Sequence, residues 1–120
     1  MLFTVAEAKA EFERLRPVLA EIVAVRADAA ELAAALEPGA RPSGLGGLPE
    51  FKAAQARLDE LMTLVQRTGA DLKGFAPLLV DFPSEIDGVA VLLCWLEGEP
   101  DLGWYHRADL GFAGRRRLGE

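Results

Sequence analysis

The sequence has little of what usually announces a function. It holds one cysteine, one histidine and one tyrosine in 120 residues. With Cys94 alone, no intrachain disulfide can form and no paired Cys-x-x-Cys metal motif exists. Long hydrophobic runs are also missing. The longest uninterrupted one, Val89–Leu96, spans 8 residues, far below the ~20 that a membrane-crossing helix needs. No cationic segment precedes an apolar one at the start, so no signal peptide is expected. Positive charge is scarce. Net charge is -6, with 8 acids against 5 bases in residues 1–50 and 8 against 4 in residues 51–100. A nucleic-acid surface needs the opposite balance. Only the last twenty residues lean basic, through Arg107, Arg115, Arg116 and Arg117. These absences point to a soluble protein of a reducing cytoplasm, with neither nucleic acid nor membrane as partner. The preference for arginine over lysine, like the abundance of alanine, fits genomic base composition better than function.

What is present is enough apolar residue, 51%, to fold as a single domain over 1–120, or as a subunit that completes its core by association. Thr4 followed by Glu7 is a capping-box pattern that starts a helix. Pro17 removes one helical hydrogen bond, which predicts a kink or break there. Apolar residues then fall at 15, 18, 22, 25, 29, 32 and 36, the 3-4 spacing of a heptad seam. Residues 38–47 carry two prolines and four glycines and read as a flexible connector. Pro49 suits a second helix start, Phe51, Ala54, Leu58, Leu61 and Val65 repeat the spacing, and Gly69 suits a C-terminal cap. Helix is therefore expected over 4–36 and 49–68, as an antiparallel hairpin. After Gly69 the period changes. Residues 72–75 and 78–86 read as strands, Asp87-Gly88 as a two-residue hairpin turn, Val89–Leu96 as the strongest strand and 102–106 as a further one. Strand dominates 70–107, and 108–120 is left as C-terminal loop and tail. The expected class is α+β: a helical hairpin on a small antiparallel β-meander.

The run Val80-Asp81-Phe82-Pro83, with Leu93-Cys94-Trp95, Gly98-Glu99-Pro100, His106 and Gly111-Phe112-Ala113-Gly114-Arg115, resembles a family of bacterial proteins catalogued as domain of unknown function 2203. The opening Phe3-Thr4 with Glu7-Ala8 is similar to that family's start. Small departures fall at Leu78, at Lys73-Gly74 and at Trp104-Tyr105-His106. The resemblance implies a bacterial, soluble protein and brings no activity or cofactor with it.

Chemistry, if any, is expected at the strand ends, where Asp81, Glu99, His106, Asp109 and Arg115 interrupt apolar sequence. His106, Asp109 and Glu99, with Asp81, are weak candidates for a histidine-plus-carboxylate metal site. His106 oriented by Asp109 is a candidate general base. The plainer account, preferred on spacing alone, is structural: Asp81 accepts backbone amides, Glu99 pairs with an arginine and His106 is a satisfied hydrogen-bonding residue. Cys94 in its apolar run reads as a buried, inert thiol. The two tryptophans and Tyr105 read as core aromatics, and the Gly-flanked Phe112 as a groove plug. The leading expectation is a non-enzymatic interaction module. It would self-associate through the hairpin, most simply as a dimer, and leave room for an unidentified protein partner. The alternative is a small ligand- or metal-binding protein or enzyme around His106. The cofactor is left unknown.

Overall fold

The computed structural model describes residues 2–119. Helix α1 runs Val5–Ala35 and α2 runs Leu48–Arg67. Five strands follow: β1 (Asp71–Phe75), β2 (Leu78–Ile86), β3 (Val89–Leu96), β4 (Trp104–Arg107) and β5 (Arg116–Arg117). They form one sheet in the order β1-β2-β3-β4-β5, every neighbouring pair antiparallel. This is the expected α+β class, with a helical hairpin and a meander.

The helix starts where the capping box requires. The Thr4 hydroxyl accepts the Glu7 amide at 3.0 Å, and Glu7 Oε1 accepts the Thr4 amide at 2.8 Å. At Pro17 the helix does not break; α1 is continuous through it. Pro17 and Glu13 are both exposed, so the helix accommodates the proline ring on its solvent side.

The chain divides into two compact units. One joins the N-terminal residues through Leu15 with everything from Val65 onward; the other is Arg16–Leu64. In the second, the seam residues Ile22, Leu32, Leu58 and Leu61 are buried, as is Leu19 beside the seam, whereas Leu36, expected on it, is exposed. Arg57 clamps α2 to α1 there with two bonds to Glu21, Nε–Oε2 at 2.6 Å and Nη2–Oε1 at 2.8 Å. The connector, expected to be flexible, carries its own hydrogen bonds. Ser43 Oγ meets the Glu31 carboxylate and accepts the Leu45 amide, and Glu50 accepts the Gly47 amide at 2.8 Å.

In the first unit, the opening turns of α1 lie on one face of the sheet. Phe12 is buried and packs on Trp95 with ring centroids 5.4 Å apart, and Phe3 meets Phe82 edge-on at the same distance. Val80, Leu93 and Leu78, also buried, complete this core. Each such side chain contributes roughly 1.5–3 kcal/mol. Although β3 is apolar throughout, it is covered only from Val91 onward, because Val89 and Ala90 are exposed beside the turn. The tail, expected to be loop, forms a 3-10 turn (Phe112–Gly114) and then β5. Arg116 and Arg117 pair with Tyr105 and Trp104, and the Leu118 amide reaches the Gly103 carbonyl at 2.8 Å.

Candidate metal centre

The register of two hairpins builds the site. Asp87 and Gly88 both have positive φ, at 52° and 78°, the backbone of a two-residue type I′ turn. Ile86 therefore faces Val89, and five residues back along each strand Asp81 faces Cys94. On the other side of β3, Cys94 faces Trp104 and Leu92 faces His106. Because side chains alternate along a strand, Asp81, Cys94 and His106 share one face of three adjacent strands. It is the face opposite Val80, Phe82, Leu93 and Trp95.

A proline within β2 does not disturb this arrangement. The Pro83 carbonyl accepts the Phe3 amide at 2.8 Å. The same edge of the residue carries its ring nitrogen, so the missing donor points away from β3 and no ladder bond is lost. The buried Ser84 hydroxyl donates to the Phe3 carbonyl at 2.6 Å and ties the N-terminal segment to the same strand.

The three side chains are deeply buried: Asp81 is 3% exposed, Cys94 0% and His106 5%. One donor atom from each lies within 4.8 Å of the other two. His106 Nδ1 sits 2.9 Å from the Arg107 carbonyl. A carbonyl only accepts, so Nδ1 carries the proton and Nε2 keeps its lone pair. That lone pair lies on the side of Asp81, whose Oδ2 is 3.9 Å from Nε2, too far for a hydrogen bond. Asp81 Oδ1 is buried with no hydrogen-bond partner. Burial raises the Asp81 carboxyl above its usual range, opposed chiefly by the hydrogen bond from Cys94. Burial, reinforced by the Asp81 charge, pushes the Cys94 thiol up to about 12.

These facts separate two chemistries. A Cys-His-Asp nucleophilic triad needs the imidazole to bridge thiol and carboxylate through its two nitrogens. Here Nδ1 is held by a backbone carbonyl, and the thiol is kept protonated. A metal centre needs converging lone pairs and a fixed tautomer, and both are present. Ligands on one tetrahedral zinc stand roughly 3.3–3.6 Å apart, given bonds of ~2.0 Å to nitrogen and oxygen and ~2.3 Å to sulfur. The donors here lie within 4.8 Å of one another, so an ion would draw them together. The carbonyl on Nδ1 is the outer partner that orients a metal-bound histidine.

The five residues expected at the strand ends do not form one pocket. Asp81 and His106 are brought together. Glu99 and Arg115 form a separate pair, Arg115 Nη2 donating to both carboxylate oxygens at 2.6 and 2.8 Å. Glu99 Oε1 also accepts the Leu96 amide, and its carbonyl accepts the Trp95 indole N–H. The Arg115 guanidinium stacks 4.7 Å from both the Trp104 and Phe112 rings. Phe112 is 45% exposed, so it supports Arg115 instead of plugging a groove. Asp109 is exposed and bound to Arg107 at 2.6 and 3.0 Å, which lowers its carboxyl below the usual range. It does not orient His106. Cys94 is the member that sequence reading passed over. The signal was available: counting back from the Asp87-Gly88 turn sets it opposite Asp81.

The sequence profile of a family described as "Uncharacterized conserved protein (DUF2203)" matches residues 1–118. No curated protein and no solved structure matches the chain.

Proposed function

We propose that this chain, which belongs to the DUF2203 family, is a metal-binding module that holds one thiophilic divalent ion, zinc or a close relative, through Asp81, Cys94 and His106. One observation carries the reading: a carboxylate oxygen with no partner, buried in a sheet face beside a thiol and an imidazole lone pair. Leaving a buried polar atom unpaired costs about 1–3 kcal/mol, and an ion in the cluster removes that penalty. The donor set of one sulfur, one nitrogen and one oxygen suits zinc-like ions and not magnesium or calcium, which take oxygen. Elemental analysis of tag-free protein is expected to find close to one equivalent of metal. Zinc titration of stripped protein is expected to raise its melting temperature, and Cys94→Ser to remove most of that rise. Protein that purifies without metal and melts unchanged across the titration overturns the reading. The accompanying expectation is a bacterial, cytoplasmic protein, since an exchangeable thiolate ligand survives best where thiols stay reduced.

Self-association through the hairpin is a second reading, favoured by the exposed leucines Leu36, Leu45, Leu48 and Leu64 of the Arg16–Leu64 unit. Light scattering is expected to give a dimer mass; a monomer at micromolar concentration rules it out.

A further inference from the structure

We infer that this centre is a three-ligand site whose fourth coordination position takes a small exogenous donor, water at rest. The inference rests on the metal reading above and adds to it the type of centre. Zinc-like ions bind four ligands, and a site with three from the protein and one exchangeable is the arrangement used for catalysis, whereas structural sites are closed. Among the described residues, no fourth histidine, cysteine, aspartate or glutamate joins the group. The nearest acids from the sequence expectation are committed elsewhere. Glu99 uses both oxygens on Arg115 and one of them also on the Leu96 amide. Asp109 uses both on Arg107.

The direction of the open vertex follows from the sheet. The three donors rise from β2, β3 and β4 on a single face. An ion held by all three sits above that face, so its remaining tetrahedral position points away from the sheet. Its same-face neighbours in register are the half-buried Leu79, Pro83, Leu92 and Trp104 and, on β1, the exposed Asp71, which stands opposite Asp81 but outside the three-residue cluster. The four half-buried ones cannot ligate, and their partial exposure leaves the vertex within reach of solvent. A small donor can reach it and a large one cannot. Charge selects among small donors. A thiolate and a carboxylate neutralise a divalent ion, and of the two guanidiniums that lie over the Trp104 ring, that of Arg115 is already paired with Glu99. The resting ligand is therefore uncharged, which is water. The competing arrangement is a closed one, in which Asp81 binds through both oxygens and uses its unpaired Oδ1 as the fourth donor.

Cobalt substitution of the full chain distinguishes the two. One equivalent of Co2+ is expected to give the intense visible bands of a four-coordinate site and a near-ultraviolet thiolate-to-cobalt band. Cys94→Ser is expected to lose the thiolate band, which assigns it to this cluster. Adding azide to the wild-type cobalt protein is expected to shift the visible bands saturably, with the thiolate band retained. Visible bands that stay unchanged at high azide, with the thiolate band intact, overturn the open position and leave the metal reading standing. If no thiolate band forms, or if it persists in Cys94→Ser, the metal reading fails and this inference fails with it.

Discussion

At the scale of single residues, Asp81 is where the proposed metal centre makes its sharpest prediction. Its carboxylate is buried, half-paired and raised in pKa by desolvation, so in the metal-free protein it is a source of instability. Asp81→Asn keeps the shape and removes the charge, and its amide can donate to the free lone pair of His106 Nε2. Metal-free Asp81→Asn is expected to be more stable than wild type by about 1 kcal/mol, measured by urea denaturation, while its zinc-induced stabilisation is lost. A destabilised, still zinc-responsive variant would contradict the assignment of Asp81 as a ligand. Thr4 is a residue of the opposite kind, read correctly from its neighbours alone. Its capping box closes with Glu7 as the pattern requires. Thr4→Ala is expected to cost about 1 kcal/mol in the same assay, with no effect on metal binding. Local patterns are legible because every partner lies within one helical turn. Asp81 was legible as a polar intrusion but not as part of a triad, since its partners come from two other strands.

At the scale of elements, the β2–β3 hairpin is what brings the triad together, and its register was already encoded in Asp87-Gly88. Counting outward from the turn sets Asp81 opposite Cys94, a pairing the strand ends alone do not suggest. The β3–β4 register was not countable in the same way, because residues 97–103 form a longer connection held by side chains: Glu97 accepts the Leu78 amide and Glu99 the Leu96 amide. That is why His106 was drawn toward Asp109, three residues on, instead of toward Cys94. The packing of α1 on the sheet gives a further prediction. Phe12 is 1% exposed and lies against Trp95, so Phe12→Ala is expected to cost about 3–5 kcal/mol. It should also alter Trp95 fluorescence; an unchanged emission spectrum would mean that the contact is dispensable. The α1–α2 clamp makes a pH prediction. Arg57 holds the Glu21 carboxyl below the usual range, chiefly through their hydrogen bonds. The folded protein therefore gives up this proton more readily than the unfolded chain. The added stability is present above the ordinary carboxylate pKa and disappears as pH falls through the lowered folded value. Glu21→Gln is expected to make the acid limb of a stability-pH curve shallower, a small effect for an exposed pair.

For the whole molecule, the proposed metal site predicts that metal affinity and folding are linked. An ion that binds only the folded chain adds about 2.7 kcal/mol at a free concentration 100 times its Kd, roughly a 10 °C rise in melting temperature at this chain length. Calorimetry with and without chelator measures it. Local periodicity and turn chemistry were enough, in the sequence alone, to determine the two helices, the helical seam, the α+β class and the Asp87-Gly88 hairpin, because each depends on residues close together in the chain. Tertiary structure alone decided which polar residues meet beyond that hairpin. It joined His106 to Asp81 and Cys94 across three strands, spent Glu99 on Arg115 and Asp109 on Arg107, and turned a thiol that read as inert into a candidate ligand. The reason is physical: a strand specifies the face on which a side chain lies, but only the pairing of strands specifies what lies beside it.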